Sequence, residues 1–156
     1  MPDQTDQQFT PTAAVLTDSL HIFKKDAFYV TADIYGTSAA TSGNYGIILV
    51  ARYPIEVLMI TERHEVLGTD GGAVTLDVLN VPNGSAISSG TSMLAATFNL
   101  KATINTNVIK QGVALTAARV LEQGAAIGLK TSGTLTAVAG VHITIYFKNQ
   151  GRGNYR

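Results

Sequence analysis

The chain has 156 residues, formal net charge zero, 46% hydrophobic residues and only 14% charged ones. A chain of that size can bury enough apolar surface to fold as one domain without staples, and the lack of cysteine excludes thiol catalysis, thiolate metal sites and disulfides. Zero net charge offers no general attraction to nucleic acid or to an acidic membrane, and no run approaches the roughly 20 apolar residues of a spanning helix.

The N-terminus, MPDQTDQQF, has no basic residues leading into an apolar stretch, so no export signal is expected. The expectation is a soluble protein whose weakly charged surface suits close subunit packing. Residues 1–20 read as a polar arm in which Pro2 and Pro11 disfavour helix and central strand. Phe9, Val15 and Leu16 stand in it as isolated apolar anchors. Two readings remain open: a disordered terminus, or an arm that orders against a neighbouring subunit or partner.

The sandwich domain is assigned to residues 21–148. Phe28, Val30, Ala32 and Ile34 alternate with Tyr29, Thr31, Asp33 and Tyr35, which predicts a strand with one apolar face. A loop of small residues follows over 36–44. Tyr45 to Tyr53 is apolar on both faces, the pattern of a strand covered on both sides, and Pro54 ends or bends it.

Two long strands are predicted from Ile55 to Val66 and from Val74 to Val78, joined by the turn Gly68-Thr69-Asp70-Gly71-Gly72. Its glycines and aspartate tolerate φ > 0, so the chain is expected to reverse there as a hairpin. A second turn follows at Val81-Pro82-Asn83-Gly84. Ser92 to Ala96 has the composition of one helical turn, and Phe98 to Ile104 alternates as a strand. Val108 to Leu115 is a further strand, while Leu115 to Gln123 fits a short helix or a strand plus turn equally well. Ala125 to Thr131 is a strand, and Thr134 to Gly140 a short strand or connector. Val141 to Lys148 alternates cleanly, with Val141, Ile143, Ile145 and Phe147 facing the core. Residues 149–156 form a basic, glycine-rich tail. About seven to nine short strands with almost no helix predict an all-β, antiparallel β-sandwich of jelly-roll type with an extended N-terminal arm.

The segments ITERHEVLGTDGGAVTLDVLNVPNGSAISSGTSML and IGLKTSGTLTAVAGVHITIYFK resemble a module of tailed-bacteriophage head decoration, or cement, proteins and related β-sandwich virion proteins. The likeness spans roughly residues 57–148 and rests on a fold pattern without catalytic residues. It implies a small jelly-roll subunit, homotrimeric, that sits on the outer surface of a capsid made in the host cytoplasm and reinforces it. Its partners would be further copies of itself and the major capsid protein, with no membrane and no nucleic acid. In that setting Phe9, Pro11, Val15 and Leu16 are the expected capsid-contact residues. The family pattern places Gly71, Gly72 and Gly140 at turns and Leu76, Val78, Val141 and Ile143 in the core.

Glu62, His64, Glu65 and Asp70 lie close in sequence, and on a strand Glu62 and His64 share a face. A divalent-metal or acid–base site is conceivable there, but the favoured reading is a solvated strand end whose charges keep it soluble. His21 and His142 lack acidic neighbours in sequence. No G-x-S-x-G elbow, Walker A loop or dinucleotide fingerprint is present. No catalytic residue, metal or cofactor is therefore assigned. Lys148, Arg152, Tyr155 and Arg156 carry too few charges for more than weak nucleic-acid binding. They oppose the acidic Asp3, Asp6 and Asp18 of the arm, so arm-to-tail contact between subunits is one reading and two unrelated termini the other. Tyr29 and Tyr35 lie opposite their strand's apolar face, and Tyr45 and Tyr53 bracket the doubly apolar strand, which marks these four as a subunit interface. The alternative function is a receptor- or carbohydrate-binding module of a phage tail or fibre, with Tyr35 presenting the aromatic contact.

Overall fold

The computed structural model describes residues 27–34 and 44–150. The arm residues Phe9, Pro11, Val15 and Leu16, the tail residues Arg152, Tyr155 and Arg156, and also Tyr35 lie outside the described residues, and of Tyr45 only the backbone is described.

Among the described residues ten strands make two sheets: β1 (Ala27–Ile34), β2 (Asn44–Val50), β3 (Ile55–Arg63), β4 (Thr75–Val81), β5 (Thr91–Ser92), β6 (Phe98–Asn99), β7 (Val108–Gln111), β8 (Val120–Leu121), β9 (Ala126–Ser132) and β10 (Val141–Asn149). The first sheet runs β1-β10-β3-β7, with β8 also on β3, and the second runs β2-β9-β4-β5, with β6 also on β4. Every pairing is antiparallel. Early and late strands interleave in both sheets, which is the jelly-roll winding expected from the sequence.

The alternation of β10 fixes the inner face. Val141, Ile143, Ile145 and Phe147 are all buried, opposite Val30 and Ala32 of β1 and Val57 and Ile60 of β3. Leu76 and Val78 on β4 and Ile127 and Leu129 on β9 close the core from the second sheet, with Phe98, Leu100, Met93 and Leu121 packed between. Each side chain of this size removed from water contributes about 1.5–3 kcal/mol.

Four local expectations are corrected. The strands β3 and β4 are not a hairpin: they belong to different sheets, and residues 64–74 carry the chain across the sandwich. The T-D-G-G stretch serves that crossing. Neither Gly71 nor Gly72 has positive φ, and the segment is held by outside partners. Gly68 N donates to Leu100 O at 3.0 Å and Thr69 N to Thr136 O at 3.1 Å. Asp70 is the anchor, accepting from Gly71 N through Oδ1 at 2.9 Å and from Thr134 N through Oδ2 at 3.2 Å.

Second, Tyr45 to Tyr53 is not a doubly covered strand. Among the described residues its strand β2 is a sheet edge, with Ile47 and Val50 about half exposed. Third, Ser92 to Ala96 forms no helical turn, because Ser92 pairs with Leu79 and Leu94 bridges to Leu115. Fourth, the strand at Phe98 stops at Asn99. Thr103 and Asn105 take positive φ, which a strand does not allow. Of the two readings left open for Leu115 to Gln123, strand plus turn holds: a single 3₁₀ turn, Ala117–Arg119, capped by Thr116, is followed by β8. Too short to nucleate an α-helix, the segment is recruited by the edge of β3 instead.

The hydrogen bonds to Asp70 favour its ionised form and hold its carboxyl below the ordinary carboxylate range, the Thr134 contacts weighing most. A lowered value means the stabilisation is present above the unfolded pKa of about 3.9 and is lost as pH falls through the folded one. Asp70→Ala is therefore expected to lower the melting temperature at pH 7, with the difference from wild type shrinking at pH 3. Calorimetry at the two pH values measures both.

Candidate functional site: the open side of the sandwich

The two sides of the sandwich are built differently. Along the β5 and β8 side, the sheets are laced together. Thr116 N donates to Met93 O at 2.8 Å, Ala95 N to Ala114 O at 3.0 Å, and Thr116 Oγ1 to Ser92 O at 2.7 Å. Asn80 Nδ2 reaches the carbonyls of Ala118 and Val120, both at 2.9 Å. On the opposite side β1 and β2 meet across the sandwich, and among the described residues each pairs on one flank only.

That open side is apolar. Phe28 is 48% exposed, Tyr29 68%, Ile47 43% and Val50 55%. The inward-facing Phe28 stacks against Phe147 with ring centroids 6.1 Å apart, and Tyr29 against Tyr146 at 6.0 Å. β2, Asn44–Val50, carries no charged residue, so the usual protection of an edge strand by charge is missing there. Of the tyrosines expected at an interface, Tyr29 lies on this side, while Tyr53, 41% exposed, follows β2 at the bend before Pro54. Tyr53 also lines a cleft of about 420 Å³ with Ala51, Arg52, Gln123 and Gly124.

A second set of exposed apolar residues lies along the far edge of the first sheet. It consists of Ile109 on β7, Val120 on β8 and Val113 in the 3₁₀ turn Gly112–Ala114 between them. Val113 is 99% exposed. Sequence reading missed this patch, whose signal was the isolated valine beside Gly112, a residue at φ +57.

Across the outer face of the first sheet, register places side chains in rows. Tyr29, Tyr146 and Met59 form one, Thr31, Thr144 and Thr61 the next, and Asp33, His142 and Arg63 the third. Asp33 Oδ1 lies 2.5 Å from His142 Nδ1, and His142 Nε2 lies 3.3 Å from Thr144 Oγ1. The order is that of a carboxylate, base and hydroxyl relay, but Asp33 and His142 are about half exposed on an open sheet face. Water competes for every contact there, and the Asp33–His142 pair joins β1 to β10. Nearer the tail, Glu56 binds Lys148 at 2.9 Å and Arg119 at 3.2 Å, which holds its carboxyl below the ordinary range, with Lys148 the largest cause.

The expectation that Glu62 and His64 are solvated is overturned. Both are buried, and Glu62 Oε1 lies 2.8 Å from His64 Nδ1. The inward phase set by Ile60 carries through Glu62 to His64, because β3 stays under its neighbours to its end. Among the described residues no three His, Asp or Glu side chains converge on a metal-sized site.

The fold is of a kind found in virus capsids. A chain in the cyanophage Pam1 capsid asymmetric unit matches with TM-score 0.53 and 15% identity, over 81% of this chain and 87% of that one. A chain in the capsid of Ralstonia phage GP4 matches with TM-score 0.52 and 22% identity, over 83% and 87%. No protein-family model matches the sequence, and no curated protein is similar to it. At these identities the likeness establishes the fold alone, a β-sandwich of two antiparallel sheets.

Proposed function

We propose that this chain is a non-catalytic structural protein of a tailed-phage virion, which decorates and stabilises the outer surface of the capsid as a homotrimer. The observation that carries the reading is the unprotected apolar side formed by β1 and β2 in a fold shared with capsid chains. A second copy is the occupant it fits best. Its counterpart, the Ile109–Val113–Val120 patch, lies on the opposite edge of the same sheet. Two different patches on opposite edges make a head-to-tail contact, and such a contact satisfies every copy only by closing a ring. A face-to-face dimer would leave one patch in water.

Residues 1–20 then supply the contact with the major capsid protein, through Phe9, Pro11, Val15 and Leu16. Binding only to the assembled shell lowers that state's free energy by mass action. Deleting residues 1–20 is expected to weaken binding to heads at least tenfold while circular dichroism and melting of the sandwich stay unchanged. Co-sedimentation with undecorated heads measures it. Equal decoration by the truncated protein would remove the arm from the reading, and hits on a glycan array without head binding would replace decoration by carbohydrate recognition.

A further inference from the structure

Two ionisable side chains inside an apolar sandwich need a reason, and these two meet only each other. Glu62 and His64 are 1% and 0% exposed. Beyond their mutual contact, Glu62 Oε2 and His64 Nε2 have no hydrogen-bond partner among the described residues. Glu62 is flanked by Ile143 on β10 and Val108 on β7. The backbone here is a seam. His64 O accepts from Asn105 N at 2.8 Å, and Glu65 N and Val66 N both reach Ala139 O, at 3.1 and 3.2 Å. The crossover from β3 to β4, the 100–107 loop and the β9–β10 connector all join at this pair.

The other charged groups on these elements are engaged elsewhere. Lys110 of β7 lies over the Phe98 ring, Lys101 bonds the carbonyls of Asp70 and Gly72, and Glu65 lies against Gly140. Asp70 is bound to Thr134, and Arg63 and His142 belong to the outer face. The pair is thus neutral only while its two side chains hold one proton between them. A second proton leaves a buried cation and no proton leaves a buried anion, and either is strongly disfavoured in apolar surroundings.

We propose that Glu62 and His64 form a one-proton lock on the seam, so that the crossover is secured in weak acid and loosened on both sides of that range. In the unfolded chain a free glutamate titrates near ~4.3 and a free histidine near ~6.5. Between those values the unfolded chain also holds one proton, and the pair contributes no pH dependence. Below about 4.3 the unfolded chain binds a second proton, and unfolding is favoured up to about tenfold per pH unit. Above about 6.5 the unfolded chain has lost the proton that the folded pair keeps, and unfolding is again favoured up to about tenfold per unit. Burial raises the Glu62 carboxyl above its ordinary range, against the opposing pull of His64. A raised carboxyl stabilises below its unfolded value and loses that contribution as pH rises through the folded one, which has the sign of the alkaline limb.

The test is urea unfolding of the full chain, followed by circular dichroism at fixed protein concentration, at pH 4.5 and 6.5. Ratios of variant to wild-type unfolding constants cancel the groups common to both. Glu62→Gln removes the carboxyl that can balance a proton in the core, so its ratio is expected to rise up to about a hundredfold from pH 6.5 to 4.5. His64→Gln leaves a buried carboxyl, and its ratio should rise by a similar factor in the opposite direction. Opposite tilts establish the lock, whereas parallel profiles, or a tilt in one variant alone, overturn it. Should either variant fail to fold, the wild-type protein decides. Carbon-13 spectra of the Glu62 carboxyl should show no titration step between about pH 4.3 and 6.5, where the folded pair keeps its one proton, and a step inside that interval overturns the proposal.

Discussion

Val113→Asp is expected to convert the assembled protein to monomers without unfolding it. The residue is 99% exposed in the 3₁₀ turn Gly112–Ala114, so the isolated subunit loses almost no packing when it changes. Surface substitutions of that kind stay within about 0.5 kcal/mol. In the proposed ring the same side chain would be pressed against Phe28, Tyr29, Ile47 and Val50 of the next copy. Desolvating a carboxylate there without a partner costs at least about 3 kcal/mol per contact, a factor of more than a hundred in affinity. Sedimentation velocity at micromolar concentration should show a monomer for the variant and a trimer for the wild type, with equal circular dichroism. Ile47→Asp, on the opposite edge, should give the same result from the other half of the contact. If Val113→Asp stays trimeric while Ile47→Asp dissociates, the far edge is not the receptor. A wild-type monomer would end the oligomer reading altogether.

The strands that sequence located well are those with one face in the core and one in water. In β10, Ile143 and Ile145 alternate with His142 and Thr144, and burial follows the alternation residue by residue. β2 was harder, because apolar residues on both faces look alike whether a strand is buried in its own fold or exposed at an edge. Ile47 and Val50 are apolar and exposed at a sheet edge among the described residues, and no local pattern distinguishes that from a covered strand. Turn chemistry likewise marks where the chain can bend but not which sheet it enters next. The span between Arg63 and Thr75 was the clue, since residues 64–74 exceed the 2–5 residues of a hairpin loop. Glu62 and His64 were legible in spacing but not in burial. Charged residues at a strand end normally mark solvent, and only their phase with Ile60 pointed inward.

Gly133→Ala is expected to destabilise the fold by about 3–5 kcal/mol, lowering the melting temperature by roughly 6–20 °C. The residue sits at φ +82, where an L side chain is already strained. A Cβ there would lie 2.0 Å from Ala73 O and 3.0 Å from Ala73 C. Those are backbone atoms, and moving them displaces Val74, which is fully buried and whose carbonyl accepts from Leu100 N at 2.9 Å. It also disturbs Thr134, whose N–H is bound by Asp70. By contrast, a Cβ at Gly71 or Gly72 meets nothing within 4 Å. Gly71→Ala and Gly72→Ala should therefore be neutral, or stabilising by a few tenths of a kcal/mol through the unfolded chain. Thermal melts of the three variants separate two accounts of the T-D-G-G stretch. If its own glycines were essential, Gly72→Ala would be the damaging change. If the stretch is a crossover held from outside, the critical glycine lies about sixty residues away in the connector between β9 and β10, where two backbones touch with no room for a methyl group.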